Sequence, residues 1–410
     1  MSKKTLITIA VVLIIILLGL FGYYYLTKNK TGEDNPSIGN VFKNFFPFGG
    51  DEGNTPIATT TDNNTNNNNE TPETSVDFTS KLRKITSEPV AGVGLIDVKA
   101  GTVLRYIEKA TGHIYEVELF SPRQGRISNT TLPRVYKALW GNKNNSLVAQ
   151  YLEDDDTTVD SFSLTVKETS TTTENVISGI EFPKNIRDVS VLDGNIFYLE
   201  TDINGSYGYI SNWQATSKKQ IWTSPIKGLL SQYVNSTTLA LTTKPNENSE
   251  GFLYFVNTGN GSYKKILGSI VGLSTLINDN ATEVLYLDQG SGVATNIYNI
   301  ASKSIKGVSP ATFPEKCAWS KVDRQVIYCA VPKSLLSNTS LTNWYLGYIS
   351  TADNIWKYDL KNNTSEIILE LSKEAGQDID VVTPTLSTNE QYLVFVNKKD
   401  NSLWSLDLTK

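Results

Sequence analysis

The 410-residue chain has one histidine, two cysteines and one methionine. A single histidine excludes a multi-histidine metal site, and two cysteines exclude a zinc site built from four of them. Any Ser-His-Asp machinery has to run through His113. Basic charge is not in excess either. Lys plus Arg is 37 against 42 Asp plus Glu, a net charge of −5, which argues against nucleic acid as the natural partner. Beyond residue 80 no helical period persists over ten residues. Hydrophobic residues are nevertheless 39% and charged residues 19%, so most of the chain can bury a core. Nothing in this inventory calls for a cofactor or a metal.

What is present begins at the N-terminus. Residues 5–26 (TLITIAVVLIIILLGLFGYYYL) carry no charge. At 1.5 Å per residue they make a helix of roughly 33 Å, which matches a hydrocarbon core of about 30 Å. Tyr23, Tyr24 and Tyr25 close the run as interfacial aromatics do. A cleavable signal peptide would be shorter and would end in small residues. A core helix would carry polar residues along one face. The expectation is an uncleaved transmembrane helix inserted in a lipid bilayer. Basic residues are nearly even on its two sides (Lys3 and Lys4 against Lys28 and Lys30). The very short leading segment places residues 1–4 in the cytoplasm and the bulk of the chain outside it, at the cell (inner) membrane.

Residues 27–79 read as a disordered, Asn/Thr-rich stalk. Its stretch 54–75 has a single large apolar side chain and cannot offset ordering entropy by burial. Within the stalk, Val41, Phe42, Phe45 and Phe46 fall on one side of a helical turn. That places them against a membrane interface or a neighbouring surface.

From residue 80 the texture changes to short apolar runs rich in Val, Ile, Tyr and Thr, separated by Asn, Asp and Gly. One strongly apolar run recurs, marked by Val103, Leu147, Ile196, Leu239, Val284, Val326 and Leu393. The intervals are 44, 49, 43, 45, 42 and 67 residues, the last long enough to contain an insertion. A period near 45 with about four strands per unit is that of a β-propeller blade. The expected fold is all-β, a seven-bladed β-propeller over residues 80–410, with six or eight as neighbouring counts. A pair of β-sandwiches would not give so regular a period. Only 17 residues follow Leu393, too few for a fourth strand, while Lys81–Thr86 is left over before the first blade. The N-terminal segment is therefore expected to close the ring.

Runs such as Asn354-Ile-Trp-Lys-Tyr-Asp-Leu and Ser402-Leu-Trp-Ser-Leu-Asp-Leu resemble the TolB-like and WD40-like propeller repeats of bacterial envelope proteins. The Gly-His and Trp-Asp pairs of true WD40 repeats are absent, and TolB-like propellers usually have six blades. A further resemblance is to single-pass, membrane-anchored propeller proteins of candidate-phylum (Patescibacteria-type) bacteria. It rests on Asn44-Phe-Phe-Pro-Phe-Gly, Arg105-Tyr-Ile-Glu-Lys-Ala-Thr-Gly-His-Ile-Tyr and Arg126-Ile-Ser-Asn-Thr-Thr. It implies the anchor-stalk-propeller plan and no activity.

Loops joining the second and third strands of a blade share a face with the loops between blades, a face where propellers commonly bind partners. The insertion, 332–353, falls on that face and contains Leu335, Leu336, Trp344, Tyr345, Leu346 and Tyr348. Exposed, such a cluster is a binding site; folded back, it covers the channel mouth. The equivalent loop of blade two is acidic, with Glu153, Asp154, Asp155, Asp156 and Asp160. In blade three, Asp202-Ile-Asn204-Gly has the opening of a calcium loop without the later bidentate acid, so it reads as a solvated turn and not a metal site; Asp154, Asp155, Asp156 and Asp202 join Trp344, Tyr345 and Tyr348 as the candidate binding residues of this face. Cys317 and Cys329 flank a predicted hairpin and are candidates for a disulfide. His113 has no nucleophile at a readable spacing, and no catalytic residue is assigned. Asn-x-Ser/Thr sites at Asn129, Asn204, Asn235 and Asn338 are expected by chance in so Asn- and Thr-rich a chain. Two functions follow as expectations. One is a membrane-anchored scaffold that binds a protein or surface polymer of the cell envelope. The other is an extracytoplasmic enzyme or lectin acting on glycans or peptides through the same face.

Overall fold

The computed structural model describes residues 79–410, apart from 129, 154, 156, 168–175, 185, 291, 335, 338 and 339. The expected transmembrane helix, nearly all of the stalk, Asp154, Asp156, Leu335, Asn129 and Asn338 lie outside the described residues. Among the described residues no helix is long and apolar enough to cross a membrane.

The recurring apolar runs are the second strands of seven four-stranded antiparallel sheets. Blade one is β2 to β5 (Val90–Val98, Gly101–Glu108, Ile114–Glu118, Gln124–Arg126). Blade two is β6 to β9 (Val135–Gly141, Ser146–Leu152, Val159–Lys167, Val176–Glu181), and blade three β10 to β13 (Asp188–Leu192, Asn195–Thr201, Ser206–Asn212, Lys218–Ser224). Blade four is β14 to β17 (Leu229–Asn235, Thr238–Thr243, Glu250–Asn257, Tyr263–Val271), and blade five β18 to β21 (Ser274–Ile277, Glu283–Asp288, Ala294–Asn299, Ile305–Val308). Blade six is β22 to β25 (Cys317–Trp319, Val326–Pro332, Asp353–Asp359, Thr364–Leu369). Blade seven is β26 to β28 (Val381–Leu386, Tyr392–Asn397, Leu403–Asp407) completed by β1 (Leu82–Thr86).

The burial of each strand follows from its place in the blade. A second strand has a neighbouring blade against each face, so both faces must be apolar. Accordingly β3, β7, β19 and β27 are buried almost throughout. Outer strands meet solvent, and β5 and β25 are largely exposed. Each core cluster is shared between adjacent blades. Phe197 and Leu199 of blade three pack with Leu229, Leu239 and Leu241 of blade four. Where first strands approach most closely, a side chain does not fit. A Cβ at Gly92 on β2 would lie 2.0 Å from the Ala138 carbonyl oxygen of β6.

The ring closes through the N-terminal segment. β1 pairs antiparallel with β28, Leu82 opposite Leu406 and Lys84 opposite Trp404. Leu82 and Ile85 enter the cores on the two faces of blade seven. This strand is the segment left over in the sequence count, and it covers an edge that would otherwise be open.

Candidate functional site

The long interval between the last two markers contains a segment, 333–352, between the second and third strands of blade six. It carries a one-and-a-half-turn helix, α1 (Ser340–Tyr345). Its inner side is apolar. Leu341 and Trp344 are buried with Leu287 of blade five and Phe313 of the blade five–six link, and Leu336, Ile349 and Val382 pack around them. The Trp344 and Phe313 ring centroids are 5.6 Å apart. α1 also reaches across the face. Thr342 Oγ1 donates to Glu247, in the equivalent loop of blade four, and the Tyr345 hydroxyl donates to Glu315, which also accepts from Ser274 of blade five. Burial of the Glu315 carboxyl raises its pKa.

A buried ionic cluster fixes the foot of the insertion. Lys316, just before β22, is fully buried, and its ammonium faces four acceptors. These are Asp380 Oδ1 at 2.6 Å, Asp353 Oδ2 at 2.7 Å, Thr351 Oγ1 at 2.9 Å and the Val381 carbonyl at 3.0 Å. Asp380 is the hub. It accepts from Trp344 Nε1 at 2.9 and 3.1 Å, from Ser350 Oγ at 2.8 Å and from the Thr351 amide at 3.0 Å. Burial pushes the Asp380 carboxyl up, but the Lys316 charge and these donors win, and its pKa lies below the ordinary carboxylate value. Asp353 goes the other way. Burial dominates and its pKa is raised, and its Oδ1 is buried with no hydrogen-bond partner among the described residues. Above this cluster the outer side of the insertion is open: Tyr345 is 43% exposed, Leu346 60% and Tyr348 77%.

The aromatic cluster expected from the sequence therefore divides. Trp344, grouped there with the binding residues, is 4% exposed. It is an anchor because its indole N–H has a buried carboxylate to bond and its ring has Phe313 to pack on. Tyr348 faces outward from that anchor, while Tyr345 is partly exposed, its ring against Trp344 at 5.5 Å and its hydroxyl on Glu315.

The acidic loops lie on blades two and three, and the polar contacts of their described residues Glu153, Asp155, Asp160 and Asp202 stay there. Asp155 accepts from the Thr158 hydroxyl at 2.5 Å and from the amides of Thr158 and Thr157 at 2.7 and 2.9 Å, which lowers its pKa. Asp160 is buried, accepts from the Tyr151 hydroxyl at 3.1 Å and lies 3.6 Å from Lys184, which also pairs with Glu153. Burial raises the Asp160 pKa. Asp202 caps its own turn through the amides of Asn204 and Gly205, at 2.7 and 3.1 Å. Among the described residues no group of three His, Cys, Asp or Glu is placed to hold a metal ion. His113 is partly exposed, its Nε2 lies 3.4 Å from Thr131 Oγ1, and burial followed by the Arg126 charge lowers its pKa. Cys317 and Cys329 are directly opposite on β22 and β23 and are joined as a disulfide, with Cα atoms 4.0 Å apart.

Sequence reasoning did not single out Lys316, Asp353 or Asp380. The one local signal is a lysine between Phe313-Pro and Cys317-Ala-Trp, an apolar setting in which a solvated lysine is unusual. A cavity of about 1130 Å³ lies against the first strands of blades seven, one and two, lined among others by Tyr136, Lys137, Trp140, Lys109 and Val382. Val382 also packs against the insertion core, but no residue of the insertion itself lines this cavity.

No protein-family model matches the chain, and no curated protein matches it. Among solved structures it is similar to an oligogalacturonate lyase in complex with manganese, at 9% identity and a TM-score of 0.49, covering 78% of this chain and 98% of that one. It is also similar to oligogalacturonate lyase from Vibrio parahaemolyticus, at 8% identity and a TM-score of 0.48, covering 78% and 97%. TolB from Acinetobacter baumannii is similar at 10% identity and a TM-score of 0.39, covering 76% and 78%. No residue role is carried over from these proteins, and the propeller assignment stands on the strand pairing above.

Proposed function

We propose that this chain is a membrane-anchored interaction scaffold whose propeller binds a protein or surface polymer of the cell envelope through the insertion of blade six. The observation that carries the reading is the contrast within one short helix and its exit. Trp344 is locked into a buried carboxylate cluster, while Tyr345, Leu346 and Tyr348 stand exposed beside it. Aromatic residues held on a rigid base are the usual anchors of interfaces, because little side-chain entropy remains to be lost. The apolar run 5–26 supports a bilayer anchor with the propeller held outside the cytoplasm by the stalk.

The test is crosslinking of the full-length protein in its native membranes, beside a Leu346→Ser/Tyr348→Ser variant. A partner captured by the first and lost by the second supports the reading; identical partners, or none, sink it. Retention in the membrane fraction, abolished by deleting residues 5–26, checks the anchor. A second reading, an extracytoplasmic enzyme or lectin, is favoured by the cavity of about 1130 Å³ against the first strands of blades seven, one and two. Glycan and peptide panels showing neither binding nor cleavage would end it.

A further inference from the structure

Lys316, Asp353 and Asp380 form an arrangement that a simple ion pair leaves incomplete. All three side chains are fully buried. One cation faces two carboxylates, which leaves an uncompensated negative charge in a dry site. Asp353 Oδ1 has no hydrogen-bond partner among the described residues, although its other oxygen touches both the Lys316 ammonium and the Val381 amide. The ring of Trp344 covers the ammonium at 4.9 Å and helps to exclude water. A lysine amine desolvated in this way is a nucleophile when a neighbouring base takes its proton. A reaction partner held at contact distance needs no encounter.

We propose that Lys316 and Asp353 condense to an intramolecular amide, with Asp380 as the proton acceptor. Asp353 enters as the neutral acid, its proton on the unpartnered Oδ1. The Lys316 ammonium, 2.6 Å from Asp380 Oδ1, gives that carboxylate one proton. The freed amine attacks Asp353 Cγ and the C–N bond forms. The C–OH bond breaks, and the hydroxyl leaves with a second proton from nitrogen as water. The third proton stays on the amide nitrogen, and Asp380 keeps the first. No oxidant, reductant or co-reactant is needed, and the charges cancel before and after. The product contains neither the buried ion pair nor the unpartnered acid oxygen.

The link would also complete a pattern. Cys317, the next residue, is joined to Cys329 on β23. An amide from Lys316 to Asp353, the first residue of β24, would staple the third strand of the same blade at the base of the insertion. This inference does not depend on what the insertion binds.

The test is the mass of the full-length protein, purified in detergent and reduced. The expected mass is lower than that of the sequence by one water. The tryptic map should show no cleavage after Lys316 and one branched peptide joining it to the segment containing Asp353. Lys316→Arg and Asp353→Ala should each restore the full mass, and Asp380→Asn should leave most of the chains unlinked. A wild-type mass equal to that of the sequence would overturn the proposal, whatever the variants do. A branch mapped to Asp380 would overturn the assigned roles.

Discussion

Trp344→Phe is the most informative single change in the insertion. Phenylalanine keeps a ring to pack on Phe313, so the loss is mainly the indole N–H that reaches Asp380 at 2.9 Å. Removing a donor to a carboxylate costs about 1.5–3 kcal/mol. The lower end is expected, because Ser350, Thr351 and Lys316 still bond Asp380. Trp344→Ala removes the ring as well, and large-to-small changes of this kind cost about 3–5 kcal/mol. Two measurements separate the effects. Urea unfolding gives the global loss, and hydrogen exchange across residues 336–352 gives the local one. Phe should raise exchange in the insertion modestly and lower global stability by about 1.5 kcal/mol. Ala should release the insertion, so that exchange there approaches the unprotected rate while the seven sheets stay protected. If Phe changes neither quantity, Asp380 is not held by the indole and the anchor argument fails. If Ala unfolds the whole ring at once, the insertion is part of the propeller core and not an attachment to it.

Other outcomes are expected on the same footing. Leu346→Ser/Tyr348→Ser should leave thermal stability within about 0.5 kcal/mol, as exposed sites do; a larger loss would mean that these side chains are packed. Asp160→Asn tests the burial-raised carboxyl of blade two. A group whose folded pKa is raised weakens the fold as pH climbs past the unfolded value of about 3.9. The stability gain of the variant over wild type should therefore be larger at pH 7 than at pH 4, and equal gains at both would refute it. Arg83 is 5% exposed and its three guanidinium nitrogens have no hydrogen-bond partner among the described residues. Arg83→Met is expected to stabilise the propeller by about 1–3 kcal/mol in urea unfolding, and a comparable loss would show that the cation has a partner. Replacing Cys317 and Cys329 together by serine should cost about 3 kcal/mol, the loop-closure value for a separation of 12 residues.

The fold was largely legible because a propeller writes its period into one strand type. Only second strands are sandwiched on both faces, so Leu147, Ile196 and Val284 sit in runs that stand out from everything around them. The closing strand was legible by elimination, since Lys81–Thr86 had no place in blade one. The site was legible in part. The length of the interval located the insertion, and its aromatic content marked it. Which aromatics face out was not readable, because the partner that buries Trp344 is Asp380, 36 residues away. Lys316 meets the same aspartate across 64 residues. Such pairings are set by how blades six and seven meet, and no local window contains them. The acidic loops are legible in composition, but their local bonding is not. Clustered carboxylates look like a site in composition, but Asp155 and Asp202 spend their oxygens on the amides of their own turns.

The buried cluster also decides where load on the insertion would go. Lys316 belongs to the entry of blade six, Thr351 and Asp353 to the return of the insertion, and Asp380 and Val381 to the entry of blade seven. Three chain segments that start or end at different strands thus meet in one fully buried site. Force applied at Tyr348 would pass through Trp344 and Thr351 into Asp380, and from there into two first strands that line the centre of the ring. It would not fall first on the exposed outer strand β25. The ring is closed elsewhere, by β1 on the outer edge of blade seven, and that closure rests on a few backbone hydrogen bonds and the burial of Leu82 and Ile85. Load at the insertion would therefore reach the buried cluster, while the seam that closes the ring lies at β1, at the N-terminal end of the propeller. Pulling between stalk and insertion should peel β1 before the insertion detaches. A single-molecule trace whose first event has the length of the insertion, about 20 residues at 3.3–3.6 Å each, would contradict this order.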